Sequence, residues 1–163
     1  MKSLISLVAL AGVLALSACG DNSVDPDRRY LVAPRASQSQ MGLHANETPE
    51  LRRLINKYSA AYQVPPELVH RVIIRESHHR PGARNGPYYG LMQILPATAR
   101  GMGYRGPASG LLDAETNLKY GVKYLRGAYL VSGGNHDGAV KWYSRGYYYE
   151  AKRKGLLEET GLR

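Results

Sequence analysis

The sequence predicts an all-α fold, a single domain of short helices joined by irregular loops. Three observations carry this. Apolar side chains recur three and four positions apart through several stretches, the spacing of one helix face. Helix-start residues such as Thr48-Pro49-Glu50 and Asp113 stand ahead of those stretches, and glycines close them. No run alternates apolar and polar residues as a half-buried strand would. A chain of 163 residues is long enough for one such domain with a real core and little else.

The first element is not part of that domain. Met1-Lys2-Ser3 is a short basic start, and LISLVALAGVLAL is an apolar run too short for the roughly 20 residues of a membrane span. It ends in Leu16-Ser17-Ala18-Cys19-Gly20, which resembles the lipobox of bacterial lipoproteins, where small residues permit cleavage and the Cys thiol is lipid-linked. The alternative is an ordinary buried Cys in a first helix. A single Cys suits export, since no disulfide partner is needed. Residues 1–18 are therefore expected to be a lipoprotein signal peptide, with lipidation at Cys19. Gly rather than Asp follows that Cys, which resembles lipoproteins held at the periplasmic face of an outer membrane. The formal net charge of +9 implies anionic partners: nucleic acid, anionic lipid or acidic cell-wall polymer. Export argues against nucleic acid. Residues 19–47 mix Pro, Ser, Gln and charge without a period and are expected to be a tether, which leaves 48–163 as the domain.

Within it, Thr48 is a good N-cap, Pro49 suits the first helical position and Glu50 the positive helix start. Leu51, Leu54, Ile55, Tyr58 and Tyr62 then form one face. Val64-Pro65-Pro66 breaks that helix and begins the next, ELVHRVIIRESHH. Residues 80–90, RPGARNGPYYG, must turn. Pro96 starts a short helix stopped near Gly101 and Gly103. Asp113 caps a helix with the face Leu118, Val122, Leu125 and Tyr129, where Gly121 and Ala128 permit close packing; Gly133-Gly134 ends it. Asp137 is expected to cap a helix carrying Val140, Trp142 and Tyr143. A last helix is expected from Tyr147 to Lys154, ended by Gly155. The thirteen Tyr with no Phe serve as core aromatics, wet interfaces or sugar faces alike.

The second helix holds an oddity. Leu68, Val69, Val72 and Ile73 share a face, and the next residue on that face is Glu76. A carboxyl at the end of an apolar stripe is penalised when ionised, so its pKa rises, as a general acid near neutral pH requires. The other reading is a helix-end Glu turned to solvent or paired with Arg75, Arg80 or a His. The loop that follows, with Tyr88 and Tyr89 as stacking surfaces and Gln93 as a hydrogen-bonding group, is a plausible cleft wall.

Glu76-Ser77, Pro81, Ala83, Gly90-Leu91-Met92-Gln93-Ile94, Pro96 and Thr98-Ala99 together resemble the signature of the SLT-type lytic transglycosylases, lysozyme-like and mostly helical enzymes of the bacterial cell wall. Asp113 to Leu118, Gly121-Val122-Lys123-Tyr124-Leu125 and Trp142-Tyr143-Ser144-Arg145-Gly146 resemble the family's later motifs, and the likeness covers roughly residues 50–150. The loop before Gly90 is one residue shorter than the family pattern, Asn85 stands where Ser is usual, and Ser144-Arg145 replaces Asn-Ala. The resemblance implies a single lysozyme-like domain with irregular cleft-lining loops. It implies one catalytic residue, Glu76, acting first as acid and then as base between N-acetylmuramic acid and N-acetylglucosamine, to leave a 1,6-anhydro end. Ser77, Asn85, Met92, Gln93 and Tyr143 map to the family's cleft, and Tyr89 is added as a stacking surface.

Ordinary glycosidases use two carboxylates. Here Asp113 and Asp137 read as caps, and Glu115, Glu150, Glu158 and Glu159 as solvated helix residues. No cofactor is expected and no metal: Glu76-Ser77-His78-His79 is one copy of a Glu-x-x-His that binds metals in paired copies. Lys152-Arg153-Lys154 reads as a solvated face or an anion-binding patch. The expected partners are peptidoglycan strands and, through Cys19, a membrane, with the protein a monomer. A hydrolytic muramidase on the same fold and a non-catalytic peptidoglycan-binding lipoprotein are the alternatives.

Overall fold

The computed structural model describes residues 42–162. Residues 1–18 and Cys19, expected as signal peptide and lipidation site, lie outside the described residues, as does most of the expected tether.

Helix α1 spans Pro49–Ala61, and the Thr48 hydroxyl accepts from the Leu51 N–H at 3.1 Å, the N-cap contact the sequence leads one to expect. Helix α2, Pro66–Ser77, starts on the Pro pair and ends at His78 in the left-handed conformation. A hairpin follows, with β1 (Arg84–Asn85) antiparallel to β2 (Tyr88–Tyr89). Strands of two residues leave no alternation to read, so the sequence shows only the turn between them. Helix α3 is Pro96–Gly101, and a 3₁₀ turn covers Ala108–Leu112. Helix α4, Ala114–Val131, is capped by Asp113, whose carboxylate accepts from Thr116 N–H at 2.8 Å. Helix α5 is His136–Arg145 and α6 is Tyr148–Lys154, closed by left-handed Gly155. One cap differs from expectation. Asn135, not Asp137, caps α5, accepting from Gly138 N–H at 2.8 Å, while Asp137 sits in the first turn and pairs with Arg71 on α2. Asn and Asp cap comparably, so the choice rests on where the preceding Gly pair releases the chain.

Helix α4 is the axis of the fold. It packs on α1, α3, α5, α6 and the 3₁₀ turn, and its face Leu118, Val122, Leu125 and Ala128 is wholly buried. The stripe of α2, Leu68, Val69, Val72 and Ile73, joins the same core. A smaller cluster of Ile94, Ala99, Tyr104 and Leu111 sits under the hairpin and α3. Buried tyrosines take the place of Phe, and each phenol finds a partner. Tyr147 donates to Tyr124 O, Tyr104 to Pro107 O, Tyr143 to Met92 O and Tyr58 to Glu115.

Gly121 lets α4 come close to the loop after the hairpin. A Cβ there would lie 2.6 Å from Met92 Sδ and 3.1 Å from Met92 Cβ. Gly121→Ala is therefore expected to cost about 1–3 kcal/mol by overpacking, read as a lowered urea midpoint at unchanged slope.

The packed body begins before Thr48. Glu47 is buried, and its carboxylate accepts Arg52 Nε and Nη2, each at 2.6 Å, and His44 N–H at 2.9 Å. The last residues of the segment expected as tether, 42–47, thus lie against α1 and the end of α2. The causes are the Glu47–Arg52 ion pair and the Asn46 hydrogen bond to His78 O, 32 residues on, which composition does not reveal.

Candidate active site

Glu76 lies in the last turn of α2, where the apolar stripe ends. Its side chain is 24 % exposed, so it neither points freely to solvent nor disappears into the core. Arg75 approaches only to 3.7 Å. Burial raises the Glu76 carboxyl above its ordinary 4.5, and the Arg75 charge opposes this without reversing it. The neighbouring environments act the other way. Glu47, Glu50, Asp113, Glu115 and Glu150 are all held below the ordinary carboxylate range, each hydrogen-bonded to a cation or a backbone N–H. Glu76 is thus set apart from them as the carboxyl whose surroundings favour the protonated form.

A cleft of about 350 Å³ is lined by Tyr88, Gln93, Ile94, Leu95, Thr98, Tyr124, Tyr143, Ser144, Arg145 and Gly146. Its floor is built from the loop after the hairpin and from α5. Tyr143 is buried, and its phenol is pushed well above its ordinary value by desolvation and then by the Glu76 charge. It stays protonated and donates to Met92 O at 2.9 Å. Gln93 takes a left-handed backbone, φ 46°, uncommon for a residue with a side chain. Its amide pins the turn by donating to Gly90 O at 2.8 Å and Ala83 O at 3.1 Å, so its donors hold the loop while the residue lines the cleft. Backbone strain kept at one residue of a cleft wall is a feature of functional sites.

The structure sorts the other expected site residues. Tyr89 is half-buried, with the Arg84 guanidinium 4.8 Å from its ring centroid, so a cation already occupies one face. Its hairpin neighbour Tyr88 lines the cleft instead. Asn85 is on the exposed strand β1, paired with Tyr88. Ser77 is 1 % exposed, and its hydroxyl donates back to Ile73 O at 3.3 Å. Met92 is fully buried, its side chain against Gly121 and its carbonyl holding Tyr143. Ser77 and Met92 therefore support the wall from behind rather than facing the cleft. The register is responsible: adjacent residues on a helix or tight turn point in different directions, which a motif does not record.

Asn117 falls within a motif that the sequence singles out without assigning it a role. It is fully buried on α4. Its Oδ1 accepts Met92 N–H at 2.9 Å, and its Nδ2 donates to Tyr89 O at 2.8 Å and Leu111 O at 2.7 Å. One side chain thus ties the loop just ahead of Gln93, at Tyr89 and Met92, to the 3₁₀ turn at Leu111. The available signal was a polar residue between the apolar positions Ala114, Leu118 and Gly121 of α4. Arg145 and Gly146 also border a second hollow of about 430 Å³ with Trp142, Tyr148, Tyr149, Glu150 and Arg153. The Ser144-Arg145 departure noted in the sequence falls at the seam between the two.

Residues 53–156 match the family model described as the transglycosylase SLT domain. The chain is 31% identical over 101 residues to the soluble lytic murein transglycosylase of Escherichia coli strain K12, a match covering 57% of this chain and 16% of that protein, and equally similar to the protein of the same name from E. coli O157:H7. It thus spans about a sixth of the length of these curated relatives.

Proposed function

Because this chain belongs to the transglycosylase SLT domain family, we propose that it is a peptidoglycan lytic transglycosylase, with Glu76 as both acid and base. The observation that carries the reading is the placement of Glu76: a carboxyl raised by burial at the end of α2, whose charge is felt at Tyr143 in the cleft wall. A protonated Glu76 gives its proton to the oxygen bridging N-acetylmuramic acid C1 to N-acetylglucosamine, and the C1–O bond breaks. The substrate's acetamido group shares the positive charge that develops at C1. The carboxylate left behind takes the proton of the muramic C6 hydroxyl, and O6 closes onto C1 as a 1,6-anhydro ring. No water is consumed, and Glu76 ends protonated as it began. The cleft residues Gln93 and Tyr143 would position the muramic ring, with Tyr88 beside them at the rim.

This chemistry asks for one carboxyl, and several others among the described residues are engaged elsewhere: Glu115 with Lys57 and Tyr58, Asp137 with Arg71, Glu150 with Arg153. The test is the mass of the muropeptides released from purified peptidoglycan. Anhydro ends made by the wild type and not by Glu76→Gln support the reading. Reducing ends would replace it with a muramidase, and binding without turnover with a non-catalytic wall-binding role.

The direction of the Glu76 shift sets the pH profile. The acid form starts the reaction, so kcat/KM should fall as pH rises through the raised pKa, on an alkaline limb displaced above 4.5. A limb at the ordinary value would remove the role given to burial.

We also read Cys19 as the lipid attachment point that holds the domain at the periplasmic face of an outer membrane. Cys19→Ser should then move the protein from the membrane fraction to the soluble fraction; an unchanged membrane fraction would reject the anchor.

A further inference from the structure

Away from Glu76, four side chains that can ligate a metal converge at the start of the domain. His44 and Glu47 precede α1, His70 is on α2, and His79 follows it. One ligand atom from each lies within 4.8 Å of those of the other three. Glu47, His70 and His79 are buried and His44 is half-buried. His70 Nδ1 and His79 Nε2 face each other at 3.0 Å, and His70 Nε2 is 3.8 Å from Glu47 Oε1. The His44 ring stacks on His79 at 5.0 Å and 11° and lies 4.7 Å from His70.

Three features of the chain build this grouping. His78 and His79 are both left-handed, φ 52° and 58°, costly for residues with side chains. The double turn sends the His79 ring back under α2 to meet His70. His79 therefore does not work with Glu76 as the Glu-x-x-His spacing would have it. Second, Asn46 donates to His78 O at 2.9 Å, which ties the segment carrying His44 and Glu47 to the same turn. Third, Glu47 is oriented by its own partners. An ionised carboxylate offers about four lone-pair sites. Oε2 takes Arg52 Nη2 and His44 N–H, whereas Oε1 takes Arg52 Nε and keeps a second direction on the His70 side. A carboxylate or imidazole steadied by a further hydrogen bond is the usual setting of a metal ligand.

We propose that His44, Glu47, His70 and His79 form a binding site for a divalent transition metal of the zinc class. Three imidazoles and a carboxylate are the donor set such ions take, in fours and tetrahedrally. Two nitrogens at about 2.0–2.1 Å from one tetrahedral ion stand roughly 3.3 Å apart, close to the 3.0 Å between His70 and His79. The ion takes the place of the proton those two rings share, which passes to the other nitrogen of the ring that carries it, so both imidazoles bind neutral. The ion would pin the entry segment 44–47 to both ends of the second half of α2, and so fix the turn immediately beyond Glu76. The site stands independently of the reaction proposed for Glu76.

The test is calorimetric titration of the metal-stripped full chain, carrying no His tag, with ZnCl₂. One Zn²⁺ per chain, a raised Tm, and the visible bands of a four-coordinate site with Co²⁺ are expected. His44→Ala and His79→Asn should each weaken Zn²⁺ by at least about 100-fold, beyond the roughly 10–100-fold lost when a residue that only orients a ligand is removed. His136→Ala, outside the cluster, should leave binding unchanged. Should His79→Asn not fold, His44→Ala and the Co²⁺ spectrum decide. No saturable binding to the wild type, or binding that survives the cluster variants, overturns the site. No substrate is present, so the result is separate from any failure of the transglycosylase reading.

Discussion

Glu76→Gln is expected to lower the rate of anhydro-muropeptide release by about 10³-fold or more while leaving the fold intact. General acid–base catalysis by a placed group contributes about 10²–10⁴-fold, and here one group serves both proton transfers. Gln keeps the shape and removes the proton. The same change should raise stability at neutral pH. The folded chain disfavours ionised Glu76, because burial lifts its pKa above 4.5. The folded state therefore holds the proton more tightly than the unfolded one. Stability contributed by this group is full below the unfolded pKa and declines as pH rises through the folded one. Gln does not ionise and escapes that decline. Urea melts should show the variant ahead of the wild type at pH 7 and level with it at acid pH. A variant that is inactive and no more stable at pH 7 would leave Glu76 catalytic but take away the role of the apolar stripe.

Asn117→Ala is expected to give the largest loss of stability of any single change in the cleft wall. The substitution leaves Met92 N–H, Tyr89 O and Leu111 O without the partner that Asn117 supplies them. Tyr89 O keeps the Ile94 N–H at 3.1 Å, so the main loss falls on Met92 N–H and Leu111 O. Each buried group left unpaired costs about 1–3 kcal/mol, and neighbours do not add fully, so a total of about 2–5 kcal/mol is expected. The brace is matched to Gly90, φ 73°, where a Cβ would overlap the Asn117 amide and the Leu111 carbonyl. Gly90→Ala should therefore be costly alone, and less costly once Asn117 is already Ala. A double-mutant cycle by chemical denaturation reads this coupling. A loss under about 1 kcal/mol for Asn117→Ala would mean the loop is held by something else.

The helix ends and faces were legible in the sequence because their causes are local. Thr48 and Asp113 cap within three residues, Gly155 closes α6, and the buried faces of α1, α2 and α4 repeat at the helical period. Glu76 stood out for the same reason, as a break in a periodic stripe. Asp137 was misread as a cap because an Asn two residues earlier does the same work.

What the sequence by itself determined is therefore the set of helices, the faces they bury and the carboxyl that interrupts one of them. These follow from contacts within one turn of chain. The tertiary structure alone decided which motif residues face the cleft. Gln93 and Tyr143 line it, whereas Ser77 and Met92 turn inward, Ser77 by its register on α2 and Met92 by packing on Gly121 of α4. It alone made Asn117 a brace across 25 residues to Met92. It alone gathered His44, Glu47, His70 and His79. Burial and long-range partners give a polar side chain its task, and no periodicity along the chain encodes them.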